Sequence, residues 1–171
     1  MVAHPDYSTP SSTGASFFAA LGCDDAAGEY RAFGEQLKRE HGATYDAWLL
    51  ARTEVREELG GALKHAHRLV VAREEVREDG VLVWWSALGK DQVGLLMQRQ
   101  HFLEIVEDDG RRLGMPLTQP PGAWLTLEGK ELRIQMAALD PVLRGLDPAR
   151  VARVSIASEW KIADWVMPAE F

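Results

Sequence analysis

His65 and His67 stand one residue apart in the stretch GALKHAHRLVV, residues 61–71. On a strand, residues i and i+2 share a face, and two neutral imidazoles at that spacing can hold a metal ion. On a helix they lie about 200° apart and cannot share one. A helix that ends between them accounts for more of the cluster. Lys64, His65, His67 and Arg68 then sit where positive charge faces the last unpaired carbonyls. No motif such as H-E-x-x-H supplies a third ligand, although His101 or a carboxylate could arrive from elsewhere in the chain. The spacing therefore favours a helix end over a metal site, and no cofactor is implied.

Glu74 is the carboxylate with the most chemical promise. On a strand it shares a face with Val70, Ala72, Val76 and Glu78, while Arg73, Glu75 and Arg77 take the other face. Among apolar neighbours its pKa would rise toward that of a general base. At a sheet edge or on a solvated helix it would be an ordinary surface acid.

The chain carries six tryptophans, and Trp84 and Trp85 are adjacent. On a strand they point to opposite faces, so one enters the core and the other needs a covering helix, a ligand or a partner. Trp84, Trp85 and Glu74 are the candidate binding residues, with Trp85 the expected interface anchor.

Other chemistry is thin. Cys23 is the only cysteine, which excludes an intrachain disulfide and any multi-cysteine metal site. The stretch SFFAALGC, residues 16–23, superficially resembles a bacterial lipoprotein signal, but residues 1–15 hold Asp6 and no Lys or Arg. A short amphipathic helix ending at Cys23 is the simpler reading. The glycine-rich nucleotide loops and the G-x-S-x-G nucleophile elbow are absent.

The elements that must position these residues follow from pattern. Residues 1–13 are rich in Pro, Ser and Thr and read as a flexible arm. A helix near 14–22 follows. A second is capped by Asp24 or Asp25, carries Ala27, Tyr30, Phe33 and Leu37 on one stripe and ends at Gly42. A third starts at Thr44, and its stripe weakens at Gly60–Gly61. Beyond it two readings compete. The helix can run on to Asp79, because the threes-and-fours register continues to position 76. Alternatively, residues 67–79 form a strand that turns at Asp79–Gly80 into VLVWWSAL. Two interior glycines would cost a helix roughly 2 kcal/mol. Arg52 and Arg73 also interrupt the stripe, so the hairpin is favoured.

The second half reads as strands. Hairpins are centred on Asp109–Gly110 and on Glu128–Gly129–Lys130, and residues 92–101 can be strand or helix. The second hairpin's Leu132, Ile134 and Met136 alternate with Arg133 and Gln135, which gives it one buried face. Asp140–Pro141 and Asp147–Pro148 each place a cap before a proline and predict short helical turns within 141–150. Residues 151–158 and 160–167 read as closing strands. The predicted fold is α+β: N-terminal helices on one face of an antiparallel, mostly meander-type sheet of about six strands. It forms a single domain over 14–171, helical to residue 66 and stranded after it.

Composition bounds the function. The 171 residues have a formal net charge of −7, no Asn, and no dense basic run. A phosphate-backbone binder needs a basic face, so nucleic acid is not the expected partner. No apolar run approaches the roughly 20 residues of a membrane span. Arg outnumbers Lys 14 to 5, a bias typical of GC-rich bacterial coding. A lone cysteine suits a reducing, cytoplasmic setting. The favoured reading is a non-enzymatic bacterial protein–protein interaction protein, such as an adaptor, chaperone, immunity or assembly subunit, whose partner is another protein or a second copy. The alternative is a small-molecule-binding α+β domain or enzyme with a pocket between helices and curved sheet.

Overall fold

The computed structural model describes residues 4–117, 125–128, 131–134 and 147–169. The architecture is α+β, with N-terminal helices packed against a five-stranded antiparallel meander sheet. The helices are α1 (Pro10–Gly22), α2 (Ala26–Ala32), α3 (Glu35–His41), α4 (Tyr45–Glu58) and α5 (Gly60–Lys64). A 3-10 turn, Ala66–Arg68, leads into β1 (Val70–Arg77), β2 (Gly80–Ala87), β3 (Lys90–Glu107) and β4 (Arg112–Leu117). These four pair in sequence order, and β7 (Val151–Val166) joins them by pairing with β3. β5 (Leu125–Glu128) and β6 (Glu131–Ile134) form a separate two-stranded sheet. The chain divides into two compact units, Met1–Arg99 with Glu159–Phe171 and Gln100–Ser158, where length alone predicts one domain.

The helical boundaries show local chemistry at work. α1 starts at Pro10, inside the segment that composition marks as an arm. Thr9 and Ser12 form a reciprocal capping box, and proline occupies the first turn, where its missing N–H costs nothing. Tyr7, just before it, is buried, and its carbonyl accepts from the Trp160 amide at 2.9 Å. The predicted second helix is split. Phe33 is extended (φ −75°, ψ 141°) and bridges Ile162 of β7, whose carbonyl takes the Gly34 N–H at 2.8 Å. A backbone bond to a strand thus replaces one helical turn, while Phe33 and Leu37 still reach the core. The third helix breaks at Leu59, immediately before Gly60–Gly61.

The hairpin reading of 67–79 holds, displaced by one residue. Arg77 faces Gly80, so Glu78 and Asp79 form the two-residue loop and Gly80 opens β2. Residues 92–101 are strand, within the 18-residue β3. The closing strands are one continuous element, β7. A 3-10 turn at Pro148–Arg150 follows the Asp147 cap, whose carboxylate accepts from the Ala149 amide at 3.0 Å. The turn at Asp140–Pro141, the loop at 118–124 with Trp124, the hairpin tip at 129–130 and the burial of Leu132, Ile134 and Met136 lie outside the described residues.

One core joins helices to sheet. It contains Phe17, Phe18 and Leu21 of α1, Phe33, Leu37, Trp48, Val55 and Leu59, and Val83, Trp85, Val93, Leu95, Met97 and Ile162 from the strands. The alternation in β2 and in the first part of β3 puts Val83, Trp85, Val93, Leu95 and Met97 into the core with the helices. Among the described residues no helix is long and apolar enough to cross a membrane.

Candidate interaction surface

The tryptophan pair divides as strand geometry requires, with the roles opposite to the expected ones. Trp85 is the core residue, 4% exposed, with its ring edge-on to Phe18 at 5.0 Å. It lies so close to α1 that a Cβ on Gly14 would stand 2.5 Å from the indole. An anchor for a partner must be reachable, and Trp85 is not. Trp84 faces the other side of the sheet and is half-buried. Its ring lies over Gly94 of β3, directly opposite, and the Arg73 guanidinium sits 4.7 Å from a Trp84 ring centroid. A strand neighbour and a cation therefore cover much of Trp84. Neither indole N–H has an acceptor among the described residues.

Glu74 is exposed rather than set among apolar neighbours, and its carboxylate accepts a hydrogen bond from Ser11 in the first turn of α1. The burial on which a general-base role depends is absent. Glu74 is exposed because β1 lies at the end of the sheet order, although it stands opposite the buried Val83; a β-bulge between Val71 and Arg73, N-terminal to it, leaves Ala72 without a partner on β2. The bulge shifts the alternation. Val71, Glu74 and Val76 stand opposite Trp85, Val83 and Val81, on the helix side, while Arg73 and Glu75 stand opposite Trp84 and Leu82.

Among the described residues β1 is an edge strand. It pairs with β2 alone among the described residues, and seven of its eight residues are exposed. Val70, Val71 and Val76 are 61%, 41% and 87% exposed. Charges interleave with them. Arg73 pairs with Asp91 at 2.6 Å and with Glu75 at 3.1 Å, and Arg77 reaches Glu75 at 3.2 Å. Both arginines act on Glu75, Arg73 more strongly, and lower its pKa below the ordinary value; Asp91 chiefly raises that of Arg73.

The histidines fall as the helix-end reading places them. α5 ends at Lys64, His65 is its cap residue, and His67 and Arg68 close the 3-10 turn. The His67 ring lies against Gly22 at the end of α1. Among the described residues no three His, Cys, Asp or Glu side chains gather as metal ligands. His101 instead meets Ser158 across β3 and β7, with Nδ1 and Oγ 2.6 Å apart. Cys23 is the exposed cap of α1.

Sequence reasoning missed the strongest polar feature. Glu29 of α2 is fully buried and accepts from Arg52 Nε and Nη2 at 2.8 and 2.7 Å and from Arg56 Nη1 at 2.8 Å. Asp24 completes the cluster, 2.6 Å from Arg52. The hydrogen bonds to Glu29 are the largest of the influences that raise the Arg52 pKa further. An open cleft of about 460 Å³ lies beside the two arginines, lined also by Leu49, Thr53, Glu57 and Leu63. The signal was present as Arg52, which interrupts an otherwise apolar stripe, with Arg56 one helical turn further on.

Lys161 is a second buried charge. Its ammonium donates to the Arg31 carbonyl at 2.9 Å, pairs with Glu159 at 2.7 Å and lies 3.9 Å from the Tyr7 ring centroid. Burial lowers its pKa.

Comparison with known family models, with curated proteins and with solved structures finds no match to this chain.

Proposed function

We propose that the chain is a non-enzymatic protein-binding module of the adaptor or assembly class, acting in the cytoplasm, and that it docks its partner along the free edge of β1. The observation that carries this reading is the exposure of that strand: one edge is unpaired among the described residues, and three valines project from it. An unpaired edge offers a row of backbone donors and acceptors to an incoming strand, and flanking side chains select which strand fits. The bulge and the interleaved charges work in the same direction. They discourage indiscriminate edge-to-edge pairing and leave only a complementary strand able to add.

The test is photo-crosslinking in the native host. A photoreactive residue at Val76 should yield a discrete adduct heavier than the 19.0 kDa chain, and the same residue at Glu40 on α3 should not. No adduct at position 76, or equal adducts at both positions, would overturn the reading.

A further inference from the structure

We infer that the strand added to β1 is β1 of a second copy, paired antiparallel about a two-fold axis through Val76. This rests on the edge reading above and goes beyond it by naming the occupant.

The hairpin geometry fixes which backbone groups are available. A two-residue loop is closed by a hydrogen-bonded pair, here Arg77 with Gly80. Alternation then turns the N–H and C=O of Val76 and Glu74 toward the free edge. Only registers that keep each side chain on its own face are allowed, because a shift of one residue moves every side chain across the sheet.

Charge chooses among them. An axis through Glu75 sets Glu75 against its own copy and Arg73 against Arg77, which is repulsive throughout. An axis through Glu74 sets that carboxylate against itself and draws the bulge at Ala72 into the ladder. An axis through Val76 avoids the bulge. It places the most exposed residue of β1, the 87% exposed Val76, against its twin. It also sets Glu75 of each copy opposite Arg77 of the other, twice over. The cost is Glu74 facing Glu78, the latter in the solvated loop. Directly opposed unlike charges and paired β-branched residues are the contacts that stabilise a ladder.

The contact is small. Only Glu75, Val76 and Arg77 of each copy face β1 of the other in this register, and they bury well under the roughly 1,000 Å² of a stable interface, so the dimer forms only in concentrated solution. Sedimentation equilibrium from about 10 μM to 1 mM reads this range. The wild-type chain should move from 19.0 kDa toward twice that mass. Val76→Lys sets two ammonium groups on the axis and should hold the chain monomeric throughout. Glu75→Arg should weaken association roughly tenfold, and the swap Glu75→Arg with Arg77→Glu should restore it. These positions are solvent-facing, and an unchanged circular dichroism spectrum confirms that each variant folds.

A wild-type chain monomeric across the series overturns the inference; a persisting adduct at position 76 whose mass is not twice the chain would then leave the edge reading standing with a different protein as occupant. A dimer indifferent to Val76→Lys, or a charge swap that fails to restore association, also overturns it.

Discussion

Glu29 shows how far a single buried carboxylate can organise its surroundings. It is fully buried and takes three hydrogen bonds from two guanidinium groups. Removing one partner of such a cluster leaves the others desolvated and uncompensated, which costs about 3–5 kcal/mol in a dry interior. Arg52 and Arg56 keep 16% and 22% of their side-chain surface exposed and can partly rehydrate, so Glu29→Gln is expected at the low end, about 3 kcal/mol. Urea denaturation measures it; a loss below about 1 kcal/mol would mean that the arginines turn to water freely. Asp24 is 74% exposed, and Asp24→Ala should cost far less. Trp85 and Trp84 give the matching apolar contrast. Trp85→Ala should cost about 3–5 kcal/mol through its cavity, and Trp84→Ala clearly less, because Trp84 is only half-buried. The same urea curves check both. At this scale the sequence was legible in type and not in environment. Adjacent tryptophans on a strand must split, but nothing local says which one meets the helices. Arg52 read as a flaw in an apolar stripe because its partner, Glu29, lies 23 positions away.

The hairpin of β1 and β2 depends on one backbone position. Gly80 has φ +150°, and a Cβ there would lie 2.2 Å from the Met97 carbonyl oxygen. That conformation in a residue with a side chain costs about 1–3 kcal/mol before the overlap is counted. Gly80→Ala is therefore expected to destabilise by at least about 2 kcal/mol and to increase hydrogen exchange at the amides joining β1 to β2. Exchange that rises equally in α1 would instead indicate global loosening. Elements whose signal is local were readable. Alternation and an Asp-Gly pair gave the hairpin, and caps gave the helix starts at Thr44 and Asp25. Elements cut by distant contacts were not. The break at Phe33–Gly34 exists because Ile162, more than a hundred residues later, takes a backbone bond. The bulge at Ala72 likewise carries no local signature, and it puts Val71 rather than Ala72 on the face of Glu74.

For the molecule as a whole, charge sets the conditions of stability. Net charge is −7 at neutral pH, and 19 Lys and Arg residues are offset by 26 carboxylates. Among the described residues three carboxylates have lowered pKa values: Asp6 through hydrogen bonds from Ser8, Asp24 chiefly through its hydrogen bond from Arg52, and Glu75 chiefly through Arg73. Each binds its proton more weakly folded than unfolded. Between its ordinary value and its lowered one, the unfolded chain therefore carries more protons. The stabilisation is complete above the ordinary values, 3.8 for aspartate and 4.5 for glutamate, and is lost as the pH falls through the folded ones. Protonation also strips the basic side chains of their counter-charge, so self-repulsion grows over the same range. Tm should stay nearly level from pH 7 to about 5 and fall steeply below about 4. Salt separates the causes. The Asp24 and Glu75 carboxylates are 74% and 39% exposed, so their contributions should shrink in 1 M NaCl, where the screening length is about 3 Å. The Asp6 contribution is held by short hydrogen bonds and should persist. Arg52→Met should flatten only the Asp24 share of the acid slope. If that variant kept the wild-type slope, Asp24 would not be part of the acid response, and the fall would belong to Glu75 at the edge of the sheet and Asp6 before the first helix.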